Sequence, residues 1–139
     1  MERPSLLVIV LNYRTAEMTL RAAEAALADM AQVQDAARAE LVIVDNNSGD
    51  GSAALLADAI ATRGWEERVR LIHASRNSGF GAGNNLGIRY GMADGSAPDF
   101  VHVVNSDAFL DPGCIGRLHR HLQDHPRAGI VGSHVRGAD

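Results

Sequence analysis

Residues 6–11 read LLVIVL and residues 41–44 read LVIV, two uninterrupted runs of aliphatic side chains. A strand with one wet face alternates apolar and polar residues. A strand that is apolar at every position needs cover on both faces, which is the setting of a parallel sheet wrapped by helices. Val69–Ala74 and Phe100–Val104 fit the same description, and Gly129–Ser133 is a weaker fifth candidate. The stretches between them carry helix ends. Thr15 can cap an Ala-rich helix running to about Gln34, and Asp50 or Ser52 caps a second that stops at Gly64. A third starts near Gly79–Gly83 and runs to about Asp94; a fourth has Asp111 as N-cap and Pro112 at its first position, ending before Pro126. The pattern predicts an α/β domain over residues 1–139, an open, mostly parallel sheet with helices on both faces.

Composition narrows the partners. Thirteen basic residues, all Arg and none clustered, stand against seventeen Asp and Glu, for a net charge of −4. A nucleic-acid binder needs a basic face to displace phosphate counterions, so that class is excluded. The single Cys114 allows no internal disulfide and no Cys-based zinc site, and suits a reducing compartment. The run at residues 6–11 is too short to span a bilayer or form a signal sequence, so a cytoplasmic chain without a membrane span is expected.

Right-handed crossovers put the C-terminal ends of parallel strands on one edge, and open α/β sheets bind ligands along that edge. The residues following the predicted strands are Asn12-Tyr13, Asp45-Asn46-Asn47, Ser75-Arg76-Asn77 and Asn105-Ser106-Asp107. All four segments are polar, and side-chain amides and carboxylates recur in them. Asp107 suits Mg²⁺ or Mn²⁺, which keeps its waters and is held by one or two carboxylates plus substrate phosphates; Asn105–Asp107 also fits a plain turn. Asp45–Gly51 resembles a calcium loop in composition, but its glycine falls in the wrong register. An acidic residue ending the second strand can grip a ribose or base edge, or cap a turn.

Residues 77–85, NSGFGAGNN, open the third helix with three glycines. They allow close backbone approach at a helix N-terminus, which favours anions, while Gly83 and Gly87 equally suit close helix–sheet packing. The G-x-G-x-G spacing is not the dinucleotide fingerprint, and with no Lys in the chain there is no P-loop. His121 and His125 stand four apart on one helical face without a third ligand in view, and His119 is expected with them on a solvated helix. His102 is expected in the core, and Cys114 in packing.

These loops together resemble the family 2 glycosyltransferases of the GT-A fold, especially the branch of rhamnosyl- and related sugar transferases. The resemblance runs from Leu6 to Gly132 and is carried by VIVLNYR, LVIVDNNSGDGS, RNSGFGAGNNLGIRYG and VHVVNSDAFLDP. It implies inverting transfer of a sugar from a UDP- or dTDP-linked donor to a hydroxyl of a glycan or lipid-linked glycan, as in cell-envelope polysaccharide synthesis. By the same resemblance Asp45 accepts the imide N–H of the base, and Asn12 and Asn47 help line the nucleoside pocket. Asn77, Gly81, Asn84 and Asn85 lie along the nucleotide. Asn105-Ser106-Asp107 matches the DXD element, with Asn105 near the ribose and Asp107 on the divalent metal. Asn105 replaces the first carboxylate of that element, which weakens metal affinity without abolishing it, because the diphosphate brings charge of its own. The acceptor site and the catalytic base are expected beyond Asp139, which would leave this piece alone inactive and truncated before the acceptor half. A peripheral place at the inner membrane face fits such acceptors. Two other classes remain at this point: a non-catalytic nucleotide-binding module, and an NAD or S-adenosylmethionine enzyme. The last needs glycines after the first strand, where this chain has Asn12-Tyr13-Arg14.

Overall fold

A computed structural model describes residues 2–137. Strands β1 (Ser5–Asn12), β2 (Arg38–Asp45), β3 (Val69–His73) and β4 (Phe100–Asn105) alternate with helices α1 (Ala16–Met30), α2 (Ser52–Thr62), α3 (Phe80–Tyr90) and α4 (Cys114–Asp124). The four strands form one sheet in the order β3-β2-β1-β4, every neighbouring pair parallel. β1 lies in the middle, and all eight of its residues are buried. Alternate side chains of β1 and β2 feed two separate cores. Leu6, Val8, Val10, Leu41 and Ile43 pack with α1, α2 and Ile115 of α4, while Leu7, Ile9, Leu11, Val42 and Val44 pack beneath α3. The expected two-sided cover is thus present where the aliphatic runs are unbroken.

β4 departs from that expectation. It is an edge strand, and α3 packs chiefly over β1 and β2. Phe100, His102 and Val104 turn towards the α1 and α4 side, whereas Val101 and Val103 stay 38% and 42% exposed. The fifth strand is not formed. Residues 129–137 carry no strand among the described residues, and Ile130 and Val135 are exposed. A two-residue apolar run, Ile130-Val131 between Gly129 and Gly132, has no ladder to hold it when it does not pair with β4.

Three helix ends also differ. α1 stops at Met30 and continues only as a short 3₁₀ turn, Ala31–Val33. α3 stops at Tyr90, four residues early. There Gly91 takes φ of 69°, and a Cβ on it would lie 2.5 Å from the Ser96 carbonyl oxygen. α4 is not capped by Asp111 and Pro112; its cap position is Gly113, and Asp111 closes a turn through its carbonyl. The acceptors for that helix start come from Asp29 on α1, whose carboxylate takes the N–H groups of Gly113 and Ile115 at 2.6 and 2.8 Å. α2 begins at Ser52, with its N–H donating to the Asp50 carboxylate, and Gly64 follows its end at φ of 68°, as expected.

Candidate functional site

The parallel register brings the polar strand ends to one rim. Asn12 pairs with Asp45 across β1 and β2, Asp45 with His73 across β2 and β3, and Leu11 with Asn105 across β1 and β4. The first residues of the four loops that follow lie beside these ends, so the four polar segments share the carboxyl edge of the sheet.

Asp45 sits at the centre of this rim and is nearly enclosed, with 4% of its surface exposed. No ion pair reaches it among the described residues; neutral donors hold it instead. Its Oδ1 accepts from Asn12 Nδ2 at 2.9 Å and from the Ser48 hydroxyl at 2.6 Å. Its Oδ2 receives only the Ser48 N–H, at 3.3 Å. Ser48 is tied in turn to β1, because the Arg14 N–H donates to its hydroxyl and Arg14 Nε to its carbonyl, both at 2.9 Å. Arg14 reaches this position at φ of 55°, and its guanidinium lies 5.2 Å from the centre of the exposed Tyr13 ring.

Asn12 changes role. The expected pocket-lining side chain is 0% exposed, and both ends of its amide are taken up inside the protein: Nδ2 by Asp45 and Ser48, Oδ1 by the Thr19 hydroxyl. It braces the rim and does not face it. Asn47 stands exposed beside this network at φ of 57°, a left-handed conformation that Asn tolerates better than most residues.

The glycine segment is joined to β2 by Asn46, whose Nδ2 donates to Asn77 Oδ1 at 3.0 Å and to the Gly79 carbonyl at 3.3 Å. Asn77 also accepts the Gly79 N–H. Gly83 and Gly87 are packing glycines. A Cβ at Gly83 would lie 2.5 Å from a Leu11 methyl, and one at Gly87 would press on Ile9 and Val44 at 3.2 Å. Gly81 is different: nothing lies within 4 Å of its Cβ position, and its φ is not positive. Asn84 is buried, with Nδ2 donating to the Phe80 carbonyl, while Asn85 is exposed. The Oδ1 atoms of Asn46 and Asn84 are buried without a donor.

Asn105, the last residue of β4, and Asp107, two residues beyond it, are both exposed, and the Ala108 N–H closes the turn onto the Asn105 carbonyl. Among the described residues Asp107 has no hydrogen-bond or ion-pair partner, and no three His, Cys, Asp or Glu gather as a metal cluster. A lone carboxylate with both oxygens uncommitted fits a divalent ion whose remaining ligands are water and phosphate, and does not fit an all-protein cage.

Outside the rim, His121 and His125 stack at 4.1 Å, with the Nδ1 of His125 against the His121 carbonyl. His119 is not on the solvated face. It is buried edge-on against Phe100 at 4.8 Å, on the same helical stripe as Ile115. Burial pushes its pKa down, as it does for His102. Burial likewise raises the Cys114 thiol, the opposite of what an activated nucleophile needs. Thr19, Asn46 and Ser48 are site residues that motif reading passes over. The available signals are a β-branched polar residue inside an Ala-rich buried helix face, and a serine three residues after Asp45.

The architecture is that of the GT-A glycosyltransferase fold. The chain belongs to glycosyl transferase family 2, whose family model matches residues 5–139. It is 36% identical over 126 residues to the succinoglycan biosynthesis protein ExoO of Rhizobium meliloti (strain 1021), covering 91% of this chain and 31% of that protein. Its fold superposes with a TM-score of 0.73 on a mannosyltransferase from Pyrobaculum calidifontis, PcManGT, solved in complex with GDP-Man and Mn²⁺. That match has 19% sequence identity and covers 90% of this chain and 34% of the other. The chain therefore spans about a third of the length of these relatives. No helix among the described residues is long and apolar enough to cross a membrane.

Proposed function

We propose that this chain is the donor-binding portion of a family 2 glycosyltransferase that moves a sugar from a nucleoside-diphosphate sugar to an acceptor hydroxyl with inversion. The observation that carries this reading is the shared rim: Asp45 and Asn105 end the two strands that flank β1, with the carboxylate of Asp107, uncommitted among the described residues, two residues further on. Asp45, through Oδ2, accepts an N–H of the base. Asn47, Asn77, Gly81, Asn84 and Asn85 follow the nucleotide along the glycine segment, and Asn105 lies at the ribose. Asn12 acts through Asp45.

In the transfer, the acceptor oxygen forms a bond to the anomeric carbon as the bond from that carbon to the diphosphate breaks. The nucleoside diphosphate leaves with the electron pair, and the hydroxyl proton passes to a base that we place outside these 139 residues. Negative charge grows on the departing diphosphate, and a Mg²⁺ or Mn²⁺, which Asp107 would hold, would supply countercharge there. The relative's role in succinoglycan biosynthesis supports a polysaccharide or lipid-linked glycan as acceptor. The neighbour's GDP-Man and Mn²⁺ support a nucleotide-sugar donor and a divalent ion, with UDP and dTDP as the donor nucleotides we favour.

Calorimetry of the wild-type chain and Asp107→Ala with UDP, dTDP and GDP, with and without Mn²⁺, tests this reading. NAD and S-adenosylmethionine serve as controls. The wild type should bind at least one of the three diphosphates more tightly with Mn²⁺, and the variant should lose that gain with an unchanged melting temperature, because Asp107 holds no hydrogen bond or ion pair among the described residues. Equal affinities for the two proteins in Mn²⁺ would remove Asp107 from the metal role.

A further inference from the structure

Thr19 lies inside α1, buried, in a helix whose other buried positions are mostly Ala and Leu. A helical Thr ordinarily returns its hydroxyl to a carbonyl one turn back. Here the Thr15 carbonyl receives the Thr19 backbone N–H, while the hydroxyl leaves the helix and donates to Asn12 Oδ1 at 2.7 Å. The other end of that amide donates to Asp45 Oδ1, which Ser48 also occupies. A carboxylate oxygen accepts about two hydrogen bonds in comfort. Oδ1 is therefore filled, and Oδ2, with one long contact, keeps capacity for a further donor.

We propose that Thr19 is a positioning residue for the donor nucleotide. It anchors the Asn12 amide, the amide holds Asp45 by Oδ1, and Oδ2 is thereby reserved for a base with a ring N–H on its pairing edge. Uracil, thymine and guanine offer that donor; cytosine presents a bare ring nitrogen there and so does adenine. Without the Thr19 hydroxyl, Oδ1 of Asn12 is a buried acceptor lacking a donor. The amide then turns to find one, and Asp45 Oδ1 keeps only the Ser48 hydroxyl, so the carboxylate is held less firmly. The proposal rests on the reading of Asp45 as the base acceptor.

The experiment compares wild type, Thr19→Val, Thr19→Ser, Asp45→Asn and the Thr19→Val/Asp45→Asn pair, each with UDP, dTDP, GDP, ADP and CDP in Mn²⁺. NMR exchange rates of the Asn12 side-chain amide protons are followed in the nucleotide-free proteins. Thr19→Val should weaken binding of the preferred diphosphate roughly tenfold, Thr19→Ser should restore it, and the loss should vanish in the Asp45→Asn background. The Asn12 amide protons should exchange faster in Thr19→Val alone. Wild-type affinity in Thr19→Val overturns the proposal, and so does an equal loss in the Asp45→Asn background or an unchanged Asn12 exchange rate. Tight nucleotide binding by Asp45→Asn overturns the base-acceptor reading itself, a result separable from the exchange data.

Discussion

The carboxylate of Asp29, near the end of α1, straddles the start of α4, taking the Gly113 N–H on one oxygen and the Ile115 N–H on the other. Asp29 is 2% exposed and 84 residues distant from Gly113 in the chain, so this cap is a tertiary contact as well as a helix cap. It is also the last of three ties between α1 and the segment after β4. The Thr15 hydroxyl meets that of Ser106 at 3.5 Å, and the Arg21 guanidinium lies 4.7 Å from the centre of the Phe109 ring. The loop carrying Asp107 is thus slung along one helix, with its firmest anchor at the far end.

Asp29→Ala should therefore be among the most destabilising changes available to a polar residue here. It strips two buried N–H groups of a charged acceptor, each at a cost of about 1–3 kcal/mol. Urea denaturation should show a loss of about 2–5 kcal/mol, with Asp29→Asn recovering part of it through one remaining acceptor oxygen. A loss below ~1 kcal/mol would mean that the end of α4 finds its acceptors elsewhere.

The glycines of α3 separate packing from function. Gly83→Ala puts a methyl group 2.5 Å from a Leu11 methyl and 3.2 Å from Asn46 Oδ1, so the buried Leu11 side chain or the helix must give way, at a cost of about 1–3 kcal/mol. Gly81→Ala meets nothing and needs no unusual backbone angle, so it should stabilise the helix by about 0.5–1 kcal/mol. If a nucleotide approaches the backbone at this point, the added methyl should at the same time weaken diphosphate binding in calorimetry. A Gly81→Ala protein that is more stable and binds as tightly would remove Gly81 from the site.

Much of this architecture was legible in the sequence because β1 and β2 carry unbroken aliphatic runs, Leu6–Leu11 and Leu41–Val44, which call for a doubly covered sheet. The segment FVHVV in β4 carries a similar pattern, yet half of it faces solvent, because exposure there depends on where α3 lies and not on the strand's own residues. The α4 start shows the same limit. Asp111-Pro112 is a good local signal, but Asp29 supplies the acceptors from another helix. At the rim, residue types were legible and their allegiances were not. Asn12 looked like a ligand because it ends a strand beside Asp45, and it is consumed by Thr19, whose contribution appears only once α1 folds back over β1. His119 was readable in principle: it falls four residues after Ile115 on the apolar stripe, while the polar residues around it suggested a wet face.

His119 and His102 give the stability a defined pH dependence. Burial lowers both pKa values in the folded protein, outweighing for His102 the favourable field of Asp29, while the unfolded chain titrates near the ordinary 6.5. The unfolded state thus binds more protons just below pH 6.5. Stability is complete above that value and falls as the solution is acidified towards the folded pKa values, by at most about 1.4 kcal/mol per pH unit for each histidine. The carboxyls of Asp50 and Asp99 are held below their usual range, the first by the Ser52 hydroxyl and N–H and the second by the Ser5 N–H and hydroxyl. Their stabilisation is present above about pH 4 and is lost only in stronger acid, leaving the histidine window separate. Urea denaturation at intervals from about pH 8 to 5 should show a plateau and then a decline. His119→Leu should flatten the decline and leave a residue due to His102, since neither nitrogen of His119 has a partner to lose. A slope that His119→Leu leaves untouched would show that the imidazole is not held neutral by its contact with Phe100.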